Sequence, residues 1–143
     1  MTPGPVALVF DVFGTVVNWR STVIREDEAL GRGKGSDVDW TAFADASRGR
    51  YAPSMDHVRK GKIPWTKLDD LHRVSLEGLI PDFGIEDLIG AEEEHFNRVW
   101  HHLDPWPDAV EGLTRPRSRY CIAPLSNGNV APLTNMAKRA ELP

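Results

Sequence analysis

The sequence predicts an α/β domain, on three observations. Two short apolar runs, Val6–Phe10 and Arg119–Leu125, each end in a polar turn, the pattern of buried parallel strands. Between them lies a long insert whose apolar residues recur at helical spacing. A further helical pattern follows the second run, so the order is strand, helical insert, strand, helix. Two strands alone make a marginal sheet. The chain is therefore expected to be truncated, or its sheet to be completed by something else.

The elements follow in order. Val6–Phe10 is the first strand, ending at Asp11 and the turn Val12–Phe13–Gly14–Thr15. A helix is expected over Ser21–Leu30, broken by Gly31–Arg32–Gly33–Lys34–Gly35. Asp37 or Asp39 can cap the next helix, which places Trp40, Phe43, Ser47 and Tyr51 on one face with Arg48 beside it. Pro53 should end or kink that helix, and Arg59–Pro64 reads as a basic loop. A third helix is expected from about Trp65, with Leu68, Leu71, Ser75 and Leu79 inward. Ile85, Leu88, Ile89, Glu92, Phe96, Val99 and Trp100 mark a fourth. His95, His101 and His102 near its end suit a helix C-terminus better than zinc, because adjacent histidines rarely converge on one ion and no cysteine is near. After a proline-rich return, Leu103–Pro107, Pro107 is expected at the first position of a helix over Asp108–Leu113. In the second strand Pro124 is awkward, since it donates no ladder hydrogen bond. Val130, Leu133, Met136, Ala137 and Ala140 mark the closing helix.

Composition narrows the function. A length of 143 residues suits a single domain. The net charge of −4, with no basic face, argues against a general nucleic-acid binder. No run approaches the roughly 20 apolar residues of a membrane span, and the first residues lack the basic and apolar regions of a secretory signal. The lone Cys121 fits a reducing, cytoplasmic setting and is expected as a buried, inert thiol.

Two turns carry the candidate chemistry. Asp11 lies at the C-terminal end of a strand, where open α/β sheets place ligands. A lone aspartate there more often caps a turn, but Ser126–Asn127–Gly128–Asn129 after the second run repeats the design. Thr15 can hydrogen-bond Asp11 or serve the turn alone. Ser126 as a nucleophile is disfavoured, because no histidine stands near it in sequence as a base. Trp19, Trp65 and Trp106 can wall an apolar pocket, though large aromatics are more often core.

Asp11–Val12–Phe13–Gly14–Thr15, followed much later by Ser126–Asn127–Gly128–Asn129, resembles the haloacid dehalogenase superfamily, and more narrowly its type II (S)-2-haloacid dehalogenase group. Ser47–Arg48 stands where those enzymes often have Trp–Arg, and Trp65 is similar to an aromatic lining their halide pocket. The resemblance implies a Rossmann-like core, here incomplete, over 1–18 and 106–143, with a helical cap inserted over 19–105. It covers the first half to two-thirds of the family's usual length, without the later lysine and acidic segment. Lys138, inside the closing helix pattern, reads as a surface residue and not as that lysine.

The activity implied is hydrolytic dehalogenation of short 2-haloalkanoic acids to 2-hydroxy acids. Asp11 is the implied nucleophile, giving an aspartyl ester that water then cleaves. Phe13 stands where the superfamily's phosphatases carry a second aspartate as general acid. A departing halide needs no proton, so an apolar ring is tolerated there. The same change removes a charge partner for Mg²⁺, so no metal or other cofactor is implied. Arg48 and Asn127 would receive the halide, at a scale of roughly 3–4 kcal/mol for one preorganised donor. Ser126 and nearby backbone N–H groups would hold the substrate carboxylate; Ser126, Asn127, Phe13 and Trp65 are the implied substrate-binding residues, Phe13 drying the site and Trp65 lining the halide pocket. The partners implied are the haloacid and its halide product, and a homodimer through the cap is compatible. Two alternatives stand: a superfamily phosphatase, and a catalytically inactive fragment that needs the missing C-terminal motifs.

Overall fold

The computed structural model describes residues 4–32, 37–85, 88 and 90–143. Its elements run β1 (Ala7–Phe10), β2 (Val17–Asn18), α1 (Trp19–Arg32), α2 (Trp40–Arg59), α3 (Leu68–Asp82), α4 (Gly90–Arg98), a 3-10 turn over Val99–His101, β3 (Asp104–Pro105), α5 (Ala109–Arg117), β4 (Cys121–Pro124) and α6 (Val130–Arg139). The chain divides into a sheet unit, made of the residues up to Trp19 with His101–Pro143, and a helical unit, Arg20–Trp100.

In the sheet unit β1 and β4 pair in parallel, with Leu8 opposite Ile122 and Phe10 opposite Pro124. The backbone N–H groups of Cys121 and Leu125 donate to Val6 and Phe10. The alternation of a strand therefore turns the nitrogens of Ile122 and Pro124 away from β1. Pro124 is accommodated because its nitrogen faces the unpaired edge. A second, antiparallel pairing joins β2 to β3, with Val17 opposite Pro105.

The strands are parallel as expected but covered on one face only. Leu8, Phe10 and Ile122 are half-buried, whereas Ala7, Val9, Cys121 and Ala123 are exposed. Cys121 is thus an exposed thiol, not the buried one expected. Parallel strands are normally buried between two layers, and among the described residues one side of this sheet carries none. Leu133 and Met136 of α6 line an apolar recess with Phe10 and Ile122 on the covered side. On α6 Pro132 and Met136 are buried, but Val130, expected inward, is exposed in the first turn.

The helical unit is built around Trp40, Phe43, Leu76, Leu79, Ile85 and Phe96. Trp40 stacks on Phe96 at 5.7 Å between centroids and meets Phe43 edge-on at 5.6 Å, arrangements favoured by the ring quadrupoles. Arg50 staples α2 to α3: its guanidinium donates to the carbonyls of Ser75 and Gly78 and to Asp82. Arg20 of α1 grips Asp45 of α2 through two hydrogen bonds of 2.7 Å. That pairing holds the Asp45 carboxyl below its ordinary range, chiefly by the hydrogen bond. Asp39 caps α2 by accepting from the Ala42 N–H.

Several boundaries differ from the sequence expectation, among them the end or kink expected at Pro53. Helix α2 runs through Pro53, α3 through Pro81 and α5 through Pro116. Each proline lies on a half-buried or exposed site late in its helix, and packing of α2 on α3 holds the first two elements together. Helix α3 starts at Leu68, not Trp65, and α4 starts at Gly90, so Ile85 joins the core from outside a helix. Helix α5 starts at Ala109, with Asp108 and not Pro107 at its N-terminal boundary, and extends to Arg117. Of the expected glycine break, Gly33–Gly35 lie outside the described residues, as does Ile89; α1 itself continues through Gly31 and Arg32.

Candidate functional site

The parallel register brings the two sequence motifs to one end of the sheet. The Leu125 N–H donates to the Phe10 carbonyl at 2.7 Å, so the chain leaves β1 as Asp11 beside the point where it leaves β4 as Ser126. The register follows from the two apolar runs, whose inward residues, Leu8 and Phe10 against Ile122, must share a face.

After β1 the chain closes into a self-bonded turn. The Val12 carbonyl accepts from the N–H groups of Thr15, Val16 and Val17, and the Gly14 N–H returns to the Val17 carbonyl. Gly14 has φ of 95°, a region that side chains other than glycine's rarely adopt. Thr15 then reaches back four residues, and its hydroxyl donates to Asp11 Oδ2 at 2.9 Å. Asp11 is exposed, and its Oδ1 makes no hydrogen bond among the described residues. One oxygen is tethered and the other has no hydrogen bond among the described residues, on an exposed side chain.

The second turn is ordered by Ser126, whose Oγ accepts from the Gly128 N–H at 3.1 Å. This bond uses one lone pair of the hydroxyl oxygen in a local turn and does not engage its O–H. Asn127 is exposed at the tip, and α6 begins three residues later. Phe13 bridges the motifs: a Cβ on Gly128 would lie 3.2 Å from Phe13 Cε2 and 3.3 Å from Leu133 Cδ2. The ring therefore lies against the second turn, and glycine is what lets it approach so closely.

Asp11, Phe13, Thr15, Ser126 and Asn127 thus gather at one end of β1 and β4. The other two sequence candidates belong to the helical unit. Arg48 is half-buried on α2, its guanidinium 4.5 Å from the centroid of the Tyr51 ring, a cation–π arrangement. Trp65 precedes α3 and is 78% exposed. Lys138 is exposed on α6.

Sequence reasoning treated Trp106 only as pocket wall or core. Its indole Nε1–H donates to the Gly14 carbonyl at 3.1 Å, and its backbone N–H donates to the Val16 carbonyl at 3.0 Å. Nothing in the sequence signals a bond between segments 92 residues apart. Asp27 on α1 also went unremarked. It is buried, Oδ1 has no hydrogen-bond partner, and burial pushes its carboxyl well above the usual range. No group of three or more potential metal-ligating side chains occurs among the described residues. His101 instead shares a hydrogen bond with Asn135, 3.0 Å from Nδ1 to the amide nitrogen. No described helix is long and apolar enough to cross a membrane.

Comparison with solved structures places this arrangement among known proteins. The chain is similar to the L-2-haloacid dehalogenase PA0810, with 44% identity and a TM-score of 0.92 over 98% of this chain and 60% of that one. It is similar to the defluorinating L-2-haloacid dehalogenase Rha0230, with 42% identity and a TM-score of 0.92 over 96% of this chain and 57% of that one. The L-2-haloacid dehalogenase from Xanthobacter autotrophicus with chloropropionic acid covalently bound shares the fold, at 21% identity and a TM-score of 0.78 over 96% and 52% of the two chains. This chain therefore spans about 60% of the length of the first of these proteins. No protein-family model and no curated protein matches it.

Proposed function

The chain belongs to the L-2-haloacid dehalogenase family, and from that premise we propose that it displaces halide from short 2-haloalkanoic acids, with Asp11 as nucleophile. The observation that carries this reading is the shared strand end. Asp11 leaves β1 beside the Ser126–Asn127–Gly128 turn, with one carboxylate oxygen held by Thr15 and the other without a hydrogen bond among the described residues. In the reaction Asp11 Oδ1 forms a bond to the halogen-bearing carbon from behind. The carbon–halogen bond breaks with its electron pair, giving halide and an aspartyl ester. Water then adds at the Asp11 carbonyl carbon and the bond from that carbon to the substrate oxygen breaks; one water proton passes to that oxygen and the other to solvent, releasing a 2-hydroxy acid of inverted configuration and restoring the carboxylate.

The Thr15 hydroxyl limits rotation of the carboxylate and presents Oδ1, a positional effect that favours a near-attack geometry. Phe13 supplies no proton, which suits a halide leaving group and not an alkoxide. The Ser126–Asn127 turn before α6 is the place for the substrate carboxylate. Arg48, Asn127 and Trp65 are proposed for the halide side by their resemblance to the family pattern.

The test is intact-mass analysis and halide-release measurement with (S)-2-chloropropionate. The proposed chemistry gives a covalent adduct on the native chain and none on Asp11→Asn, whose fold is retained. Release of halide by Asp11→Asn at the native rate removes Asp11 from the mechanism. An adduct without turnover identifies a chain that completes the first half-reaction only. Phosphate release from p-nitrophenyl phosphate with Mg²⁺, in place of dehalogenation, would favour the phosphatase reading.

A further inference from the structure

We infer that Trp106 is a positioning residue for the Asp11 carboxylate, acting through the Gly14–Thr15 peptide; this rests on the reading of Asp11 as nucleophile. The peptide unit between Gly14 and Thr15 is planar and rigid. Its two polar ends are both held. The Gly14 carbonyl accepts the indole N–H of Trp106 at 3.1 Å, and the Thr15 N–H donates to the Val12 carbonyl at 3.2 Å. These bonds leave opposite edges of one plane, so together they fix its tilt. Thr15 Cα is part of that plane, and the hydroxyl hanging from it holds Asp11 Oδ2. The indole thus sets the direction of the threonine hydroxyl, and through it the carboxylate.

The backbone bonds between Trp106 and this turn do not duplicate the effect. The Trp106 backbone N–H bonds the Val16 carbonyl, and β2 pairs with β3 next to it. These main-chain bonds anchor the end of the turn whatever side chain stands at position 106. They leave the Gly14 peptide with one polar end free once the indole is removed. Gly14 is also the residue least able to hold its own conformation, having no Cβ. Its positive φ of 95° makes the peptide that follows the natural place for external support. Trp106 is 37% exposed, so its conversion to phenylalanine leaves little cavity and gives water access to the Gly14 carbonyl.

The experiment compares the native chain with Trp106→Phe, which keeps a ring and loses the N–H, and Trp106→His, which keeps a ring N–H. Thr15→Val provides the reference without the hydroxyl. Two quantities are read: the Thr15 χ1 rotamer from three-bond NMR couplings, and the single-turnover rate of Asp11 alkylation against 2-chloropropionate concentration. In Trp106→Phe the Thr15 rotamer averages and the maximal alkylation rate falls roughly tenfold, with the half-saturating concentration unchanged. A single native rotamer in a folded Trp106→Phe, or a native maximal rate, overturns the inference. If Trp106→Phe does not fold, Trp106→His decides the matter, a native rotamer and rate supporting the hydrogen bond and averaging refuting it. If the native chain forms no adduct at all, the dehalogenase reading fails, while the rotamer comparison still decides whether Trp106 positions Thr15.

Discussion

Replacing Gly31 with alanine tests the core of the helical unit most sharply. An added Cβ would lie 2.0 Å from Cζ2 of Trp40, 2.6 Å from Cε2 and 2.9 Å from Nε1. Carbon atoms in contact normally stand about 3.5–4.0 Å apart, so the indole must retreat by roughly 1.5 Å. It has no room for this, since it is buried, stacked on Phe96 and set edge-on against Phe43. Overpacking of this kind costs about 1–3 kcal/mol. Against it stands a helix-propensity gain of at most about 1 kcal/mol for glycine to alanine, reduced here because Gly31 is next to last in α1. The expected net is a loss of about 1–2 kcal/mol. With a urea slope of about 2 kcal/mol/M, the unfolding midpoint followed by far-UV circular dichroism falls by about 0.5–1 M. The double variant Gly31→Ala with Trp40→Leu should lose less than the sum of the two single variants, because the smaller side chain vacates the contested space. A midpoint for Gly31→Ala at or above that of the native chain would refute the packing argument.

The buried Asp27 gives a pH prediction. Burial raises its carboxyl in the fold, so the unfolded chain releases that proton first. Its contribution to stability therefore falls as pH rises above the unfolded value of about 3.9, and Asp27→Asn should melt higher than the native chain at pH 8 by more than it does at pH 4. An equal difference at the two pH values would count against a neutral buried acid. Arg50→Met removes three hydrogen bonds between α2 and α3. Its side chain is about one-third exposed, so after solvent screening the expected loss is about 1–2 kcal/mol, measured by urea unfolding. Most of that loss should persist in 0.5 M salt if the carbonyl bonds dominate, and vanish there if the Asp82 pair does.

What the sequence revealed and what it hid divide along a physical line. The apolar runs at Val6–Phe10 and Arg119–Leu125, and the helical spacing of Trp40, Phe43, Leu68, Leu71 and Leu79, are local patterns, and they placed β1, β4 and the principal helices, whereas the two-residue strands β2 and β3 were too short to leave one. Asp11 and Ser126 were legible for the same reason, each being the first polar residue after an apolar run. Pro53 misled, because a missing N–H is a local penalty that packing between helices can outweigh. Cys121 misled differently. An apolar run promises burial only when both faces of the sheet are covered, and here Val9 and Cys121 lie on an open face. The bond from Trp106 to Gly14 has no local signature at all, since a tryptophan reads as apolar whichever way its N–H points.

Phe13 shows how packing and leaving-group chemistry constrain one another. Its ring lies against Gly128, where an ionised carboxylate would face a residue with no side chain. An aspartate at 13 would have to recover the lost hydration from a metal ion or from backbone donors. In an enzyme that must protonate an alkoxide, that difficulty is useful, because poor solvation raises the acid's proton affinity. Where the leaving group departs as an anion of low basicity, the proton is superfluous and the buried charge is only a cost. On the proposed reading the phenyl ring would serve both ends: it lies against the second turn, and it would keep water from the carbon that Asp11 attacks, where fixed charges act more strongly in a drier site. Phe13→Asp should therefore weaken the contact between the turns without conferring phosphatase turnover, measured as phosphate release from p-nitrophenyl phosphate with Mg²⁺, because the second turn would still present Gly128 to the new carboxylate.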